Sequence, residues 1–597
     1  MKRRSFFYVL AAGVLVLLLI GAGGFYWLRA NSPLALLGGG QVTNPTATIF
    51  VPKQAPVMVS LLVNPDRLEG LRQAVALPSN RKRSRAELNQ LKQSLLANTD
   101  LDYRRDIQPW LGDEITLALT SLDVDRTRDN GEQRGLLLAV TTKNPQRSRE
   151  FVDLFWQKQA NVETDLVFET YKGVKLIYKN QESGVKTQDA GTKGFYNRDK
   201  SAAWQNSDAI NRVSTQNSVA TAVVGDRFVL FANNPRVLRE AINNVQAPNL
   251  SLSDSTSYQR AIESISQPKI GLTYVNLPSL AKLLGNNSPM EISQTYESLA
   301  IALSPQTQGL LAETALLAAT GQEIPPTTPT LSQPVGALQY LPEKIAIAAS
   351  GSNLEQLWTQ LTSGLDSDDS LTQLINQPIA NLQARWGIDL KQDIFSWVHG
   401  EYALGMLPRA DRKDSDWIFV AEKSATAKAE ESIDRLDAVA KQQGLSVSSF
   451  TLENQPISAW TQLTTTADKN QGEDQDSVKL EAQVKGVHAS IGKYEIFTTS
   501  IEAMNQAIKA PENSLVKSDR FQANITSLPQ PNNGYLYLDW ASSQTFLERQ
   551  LPIVRVVELV AKPLFNELNS LAFSSYGSDD GVRRSKVFLR LGAKAEE

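Results

Sequence analysis

The chain contains no cysteine. That excludes disulfides, thiol nucleophiles, thiolate metal centres and the lipidated cysteine of a bacterial lipoprotein together. Histidine is nearly absent as well: His399 and His488 are the only two among 597 residues, so imidazole chemistry has at most two places to sit. Charge of one sign is also missing. Sixty basic residues against 63 acidic leave a formal net charge of −3, which builds no polyanion-binding field and argues against nucleic acid as a partner. No Gly-x-Ser-x-Gly elbow, no phosphate-cradling Gly-rich loop with Lys and no His-Glu-x-x-His helix occurs.

What is present is globular in character. Hydrophobic residues make up 42% and charged residues 21% of the chain, the balance of a packed protein rather than a disordered one. At 597 residues the chain exceeds the size of one core, so at least two domains are expected. Behind Lys2, Arg3 and Arg4 runs the uncharged stretch Ser5 to Leu28, long enough as a helix to cross a hydrocarbon core of about 30 Å. It is too long for the apolar region of a cleaved signal peptide. The basic triplet predicts a cytoplasmic N-terminus, with the chain from about Arg29 onward on the far side. Residues 30–48 follow as a flexible tether with Gly38 to Gly40 at its centre.

Beyond the tether the chain resembles itself. "FVPK" at Phe50 matches "YLPE" at Tyr340, and "DIQPWLGDEITLAL" from Asp106 matches "DIFSWVHGEYALGM" from Asp393. "GDRFVLFANNPRVLREAI" answers "GKYEIFTTSIEAMNQAI", and "SLSDSTSYQRAI" answers "SLVKSDRFQANI". The blocks keep their order while their spacing drifts, which is how a duplication with loop-length change reads. Each copy mixes alternating strand patterns with helical ones. Val237, Leu238, Ala241 and Ile242 behind the Asn234–Pro235 start form a helix face, with Ser500 as the matching cap in the second copy. The expectation is an α+β fold: a tandem duplication of a mixed antiparallel-sheet and helix domain behind one N-terminal transmembrane helix. Its divisions are 1–29 (basic end and anchor), 30–48 (tether), 49–320 (first repeat), 321–334 (Pro/Thr-rich linker) and 335–597 (second repeat). Polar insertions fall at 180–217 and 464–476.

The recurring polar residues read as scaffold. Trp110 and Trp397 stand between a turn and an apolar strand, as core anchors do. Asp106 and Asp393 precede Ile-x-x-Trp, where a carboxylate accepts backbone N–H groups. Glu114 and Glu401 open strands and suit a capping or solvated role better than an acid/base pair. His399 and His488 face Gly112 and Thr221 in the alignment of the halves and have no identifiable co-ligands, so they read as lone structural histidines. The run Asp123 to Glu132 resembles a calcium loop but carries Arg128 where that loop needs glycine, which makes it a hairpin tip. The basic run Arg81 to Arg85 reads as a solvated face.

The order of anchor, Gly-rich tether, "FVPKQAPVMVSLLVNPDRLEGLR", the Asp-Ile-x-x-Trp turn and the late "SLSDSTSYQRAI" with "GLTYVN" resembles a cyanobacterial family of single-span, membrane-anchored proteins built on an uncharacterised DUF3352-like domain. The resemblance implies a periplasmic or thylakoid-lumenal location and supplies no activity. The function expected is a non-enzymatic binding or assembly module, held to the membrane by its N-terminal helix and presented to protein partners there. A carrier of a lipid or other apolar ligand is the alternative, and a carboxylate-based hydrolase the third reading. No catalytic, cofactor-binding or metal-ligating residue is assigned, and no cofactor is expected.

Overall fold

The computed structural model describes residues 44–66, 101–127, 132–160, 166–179, 219–266, 269–284, 296–306, 308–324, 326–354, 394, 397–409, 415–423, 426–467, 478–550, 565 and 568–591. Contacts divide the chain into two compact units, one built principally from Asn44–Asp66 with Leu77–Ser255 and the other from Thr256–Glu597.

The first unit carries strands β1 (Val57–Leu61), β2 (Leu111–Ser121), β3 (Gly135–Thr142), β4 (Leu166–Tyr171), β5 (Val174–Lys179), β6 (Ala220–Val224) and β7 (Phe228–Ala232), with helices α1 (Pro145–Ala160) and α2 (Pro235–Gln246). Every pairing among these strands is antiparallel, in the order β1-β2-β3-β7-β6-β5-β4. Strand β7, "FVLFA", is buried at all five positions because both its faces are covered. Phe228, Leu230 and Ala232 join Leu137, Leu176, Val237 and Leu238 in one core against α2. Phe231, on the opposite parity, meets Phe151 and Phe155 of α1, each with ring centroids 6.4 Å away. Helix α2 starts where Asn234 accepts from the Arg236 N–H, with Pro235 at its first position.

The second unit contains α3 (Thr256–Glu263), β8 (Gly271–Asn276), α4 (Leu277–Leu284), β9 (Tyr296–Gln306), β10 (Gly309–Ala318), β11 (Ile347–Gly351), β12 (Tyr402–Leu407) and β13 (Asp416–Glu422). It continues with α5 (Thr426–Gln442), β14 (Ser446–Leu452), β15 (Gln455–Ala467), β16 (Val478–Ile491), β17 (Tyr494–Thr498), α6 (Ile501–Lys509), α7 (Asp519–Ile525), β18 (Tyr535–Asp539), α8 (Trp540–Gln550), β19 (Leu568–Asp579) and β20 (Val582–Leu591). Its antiparallel order is β14-β15-β16-β17-β13-β12-β11-β18-β19-β20-β10-β9-β8. Strands β11 to β17 are thus connected and ordered as β1 to β7 are. The short 3-10 helices Thr46–Phe50 and Gly336–Tyr340 precede β1 and β11 in the same way. Ile418, Val420, Ile496 and Met504 form the core toward α6, while Trp397, Ala421, Leu436 and Phe497 form the core toward α5.

Two expectations are corrected. The fold is not a tandem α+β pair behind a transmembrane helix: among the described residues twenty antiparallel strands make the framework, and the helices lie against it. The sequence reading missed this because several strands are rich in Ala and Ser. In β9, "YESLAIALSPQ", the buried positions include Ser298, Ala300 and Ala302, and such small residues carry a weak periodic signal. The second correction concerns the membrane. Among the described residues no helix is long and apolar enough to cross one. Attachment through an N-terminal helix, the single-pass topology and the periplasmic or lumenal location therefore have no support and are set aside. The expected span at Ser5 to Leu28 and the basic run at Arg81 to Arg85 lie outside the described residues, as do Asp393 and the insertion at 180–217.

Two other segments are tied in. The end of the expected tether enters the 3-10 helix Thr46–Phe50. The Pro/Thr-rich stretch 321–334 forms isolated bridges, Thr327 to Ser578 and Leu331 to Asn532.

Candidate functional site

The acidic residues that recur in the sequence hold the backbone in place. Glu114 is fully buried on β2, and its carboxylate accepts the N–H groups of Thr46 and Ala47 at 2.9 and 2.8 Å, closing the N-terminus of the 3-10 helix. The hydroxyl groups of Thr46 and Thr116 also donate to it. Glu401 accepts from the Tyr494 hydroxyl at 2.6 Å and lies close to Gly336, where the second 3-10 helix begins. Asp106 accepts the Asp102 N–H at 2.8 Å and is clasped by Arg105, whose hydrogen bond holds the carboxyl below its usual range against the opposing effect of burial. Trp110 donates its indole N–H to the Asp106 carbonyl, and Trp397 is 1% exposed. Both are core anchors, as expected.

His488 departs from the lone-histidine expectation. On β16 it sits between Glu495 of β17, 2.9 Å from Nδ1, and Asp437 of α5, 3.1 Å from Nε2. With a carboxylate at each nitrogen the ring must donate twice, which defines the imidazolium. Burial alone would lower its pKa; the hydrogen bonds and charges of Asp437 and Glu495 outweigh burial and raise it to about 9. Trp460 completes the arrangement by donating to Asp437 at 2.6 Å. Its ring lies over Gly486, where any Cβ would meet it at 2.7 Å, beside the register shift at Trp460/Thr461. At the aligned position of the first unit, Thr221 accepts from the Trp156 indole at 2.7 Å, a neutral version of the same bolt. Sequence reasoning missed the pairing because Glu495 reaches His488 only across the β16–β17 hairpin and Asp437 only once α5 docks on it. His399 is exposed.

A second buried charge cluster lies on β10. Glu313 stands in register with Lys586 of β20, 3.6 Å from its amine, and accepts from Tyr576 at 2.6 Å and from the Ser266 N–H. Near it, burial lowers the Lys269 amine to about 8 in spite of the attraction of Glu313.

Two features face outward. Strand β14 pairs with β15 and has no strand on its other side among the described residues. Five of its seven residues are exposed, Phe450 at 40% among them, and none is charged or proline. In the first unit an open cleft of about 350 Å³ is lined by Val124, Asp125, Arg126, Arg236, Arg239 and Glu240. Arg126 and Asp125 belong to the expected hairpin tip, whose turn is set by the Thr127 N–H donating to the Asp125 side chain. Among the described residues no group of three or more His, Cys, Asp or Glu side chains could hold a metal ion.

These features define a class: an antiparallel-sheet protein whose described buried polar groups brace the fold and whose open features are a bare strand edge and a charged cleft. The chain belongs to the DUF3352 family, described as protein of unknown function, whose sequence profile matches residues 10–591. No curated protein matches it. Two solved structures, titled "Structure of crystal form III of TP0453" and "Structure of crystal form I of TP0453", are 12% and 9% identical to it. They cover 44% and 50% of this chain and 82% and 83% of their own, with TM-scores of 0.23 and 0.20, a likeness too slight to carry an argument.

Proposed function

We propose that this chain is a non-catalytic binding or assembly module that takes up an extended segment of a partner protein along the free edge of β14. The carrying observation is that edge itself. Sheet proteins ordinarily blunt an edge strand with Lys, Pro, a bulge or a cover, whereas Ser446–Leu452 has no charge and no proline and is exposed along most of its length. An added strand would satisfy the backbone groups of the edge, and Phe450 would give it an apolar contact. The buried carboxylates support the non-catalytic half of the reading, since Glu114 and Asp106 are occupied with backbone N–H groups. A cyanobacterial source, implied by the family resemblance, goes with this reading and assigns no residue a role.

The test is Phe450→Lys, alone and with Ser448→Lys, in the full chain. Partner or self-association measured by sedimentation and cross-linking should fall at least tenfold, while the unfolding free energy from urea titration stays within about 0.5 kcal/mol of the parent. Association that survives both charges overturns the proposal. A cross-link joining two copies of the chain would identify the partner segment as its own.

A further inference from the structure

We infer that the arginine-lined cleft of the first unit is a binding site for a small oxyanion, of the phosphate or carboxylate class, held by Arg126 and Arg236. The inference is independent of the β14 reading, which concerns the other unit.

The three guanidinium groups of the cleft are not equivalent. Arg239 is already committed: its Nε and one terminal nitrogen donate to Glu169 at 2.9 and 2.6 Å, in a two-pronged clasp braced by Tyr178, whose hydroxyl also donates to Glu169. Arg126 and Arg236 make no side-chain hydrogen bond or ion pair among the described residues, and both are exposed. Their one resolved interaction is electrostatic, with Glu240. Burial raises the pKa of that carboxyl against the pull of both arginines. Two solvent-exposed planar forks with no protein partner among the described residues thus border one cleft beside Asp125 and Glu240, and a planar or tetrahedral oxyanion is the ligand such forks bind best.

The packing of α2 does not require these charges. Starting from the caps Asn234 and Ser500, the apolar residues Val237, Leu238, Ala241 and Ile242 are matched on α6 by Ala503, Met504, Ala507 and Ile508. The charged residues are not matched, since Arg236, Arg239 and Glu240 stand opposite Glu502, Asn505 and Gln506. Glu169, which fixes Arg239, has Phe450 at its counterpart when the two hairpin turns are superposed in sequence. The supporting frame is common to both helices, and the cationic cleft belongs to the first alone. Arg126 also arrives on a left-handed backbone, at a φ of 57°, a conformation that non-glycine residues seldom adopt and that is found more often at functional sites.

Isothermal titration calorimetry on the full chain, with inorganic phosphate in one arm and citrate in the other at matched ionic strength, tests the site and separates the two ligand classes. Saturable one-to-one binding of either is expected. Arg126→Ala and Arg236→Ala should each weaken it about tenfold, the cost of one charge-assisted contact. Arg147→Ala, at an exposed arginine on α1, should leave it unchanged. Absence of saturable binding in both arms overturns the inference. So does binding that persists in the Arg126→Ala/Arg236→Ala double variant, or that weakens equally with Arg147→Ala.

Discussion

His488 is the side chain whose surroundings have the clearest measurable effect. Its folded pKa of about 9 lies above the unfolded value near 6.5. The ring therefore adds stability that is fully present below about pH 6.5 and is lost as pH rises through 9, on the order of 3 kcal/mol in all. Lys269, beside Glu313 rather than the histidine, works in the opposite sense. Its amine is lowered to about 8 by burial, so folding gains as pH climbs from there toward the unfolded lysine value. The profile of the parent protein sums the two trends, and only a difference isolates the histidine. His488→Gln should lower stability most at the acid end of this range, near pH 6.5, by leaving Asp437 and Glu495 facing an uncharged amide. The gap between parent and variant should close as pH passes 9. Urea titrations of both proteins between pH 6.5 and 9.5 measure it, and a gap that stays constant with pH would show that the ring is not charged in the fold.

Helices α2 and α6 start on the same device in different letters. Asn234 accepts from Arg236 and Ser500 from Ala503. Replacing either cap with Ala should cost about 1 kcal/mol, read from the urea midpoint, and the two losses should add because they lie in separate helices. These caps were legible in the sequence because capping is a local code, and so were the buried places of Trp110 and Trp397. The end of β15, Thr464 to Ala467, was not legible as strand, because it had read as part of the polar insertion 464–476. Strands β9, β10, β19 and β20 went unread, since Ser570, Ser574 and Ala572 on β19 are all fully buried and hydropathy gives them no weight. The imidazolium between α5 and β17 was out of reach for another reason: its two acids come from separate elements that only the docked fold brings to one ring. In the same way, Arg239 and Glu169 are 70 positions apart, and no spacing rule joins them.

In the second unit, β10 is flanked by β9, its neighbour in sequence, and by β20, the last described strand. A chain ending at Asp579 would strip β20 from both β10 and β19. Its urea transition should broaden and shift to lower denaturant, and sedimentation should show self-association through the uncovered edges. An unchanged midpoint would show that β20 is dispensable to the fold. The same pairing sets a schedule during synthesis. Thr314 bonds to Ser585, 271 residues later. At roughly 5 to 20 residues per second, a ribosome needs about 15 to 55 s to make the partner of β10 after making β10 itself. For that interval one side of a finished hairpin waits open in a crowded cell, so the newborn chain depends on whatever shields nascent polypeptides to a degree that the completed protein does not.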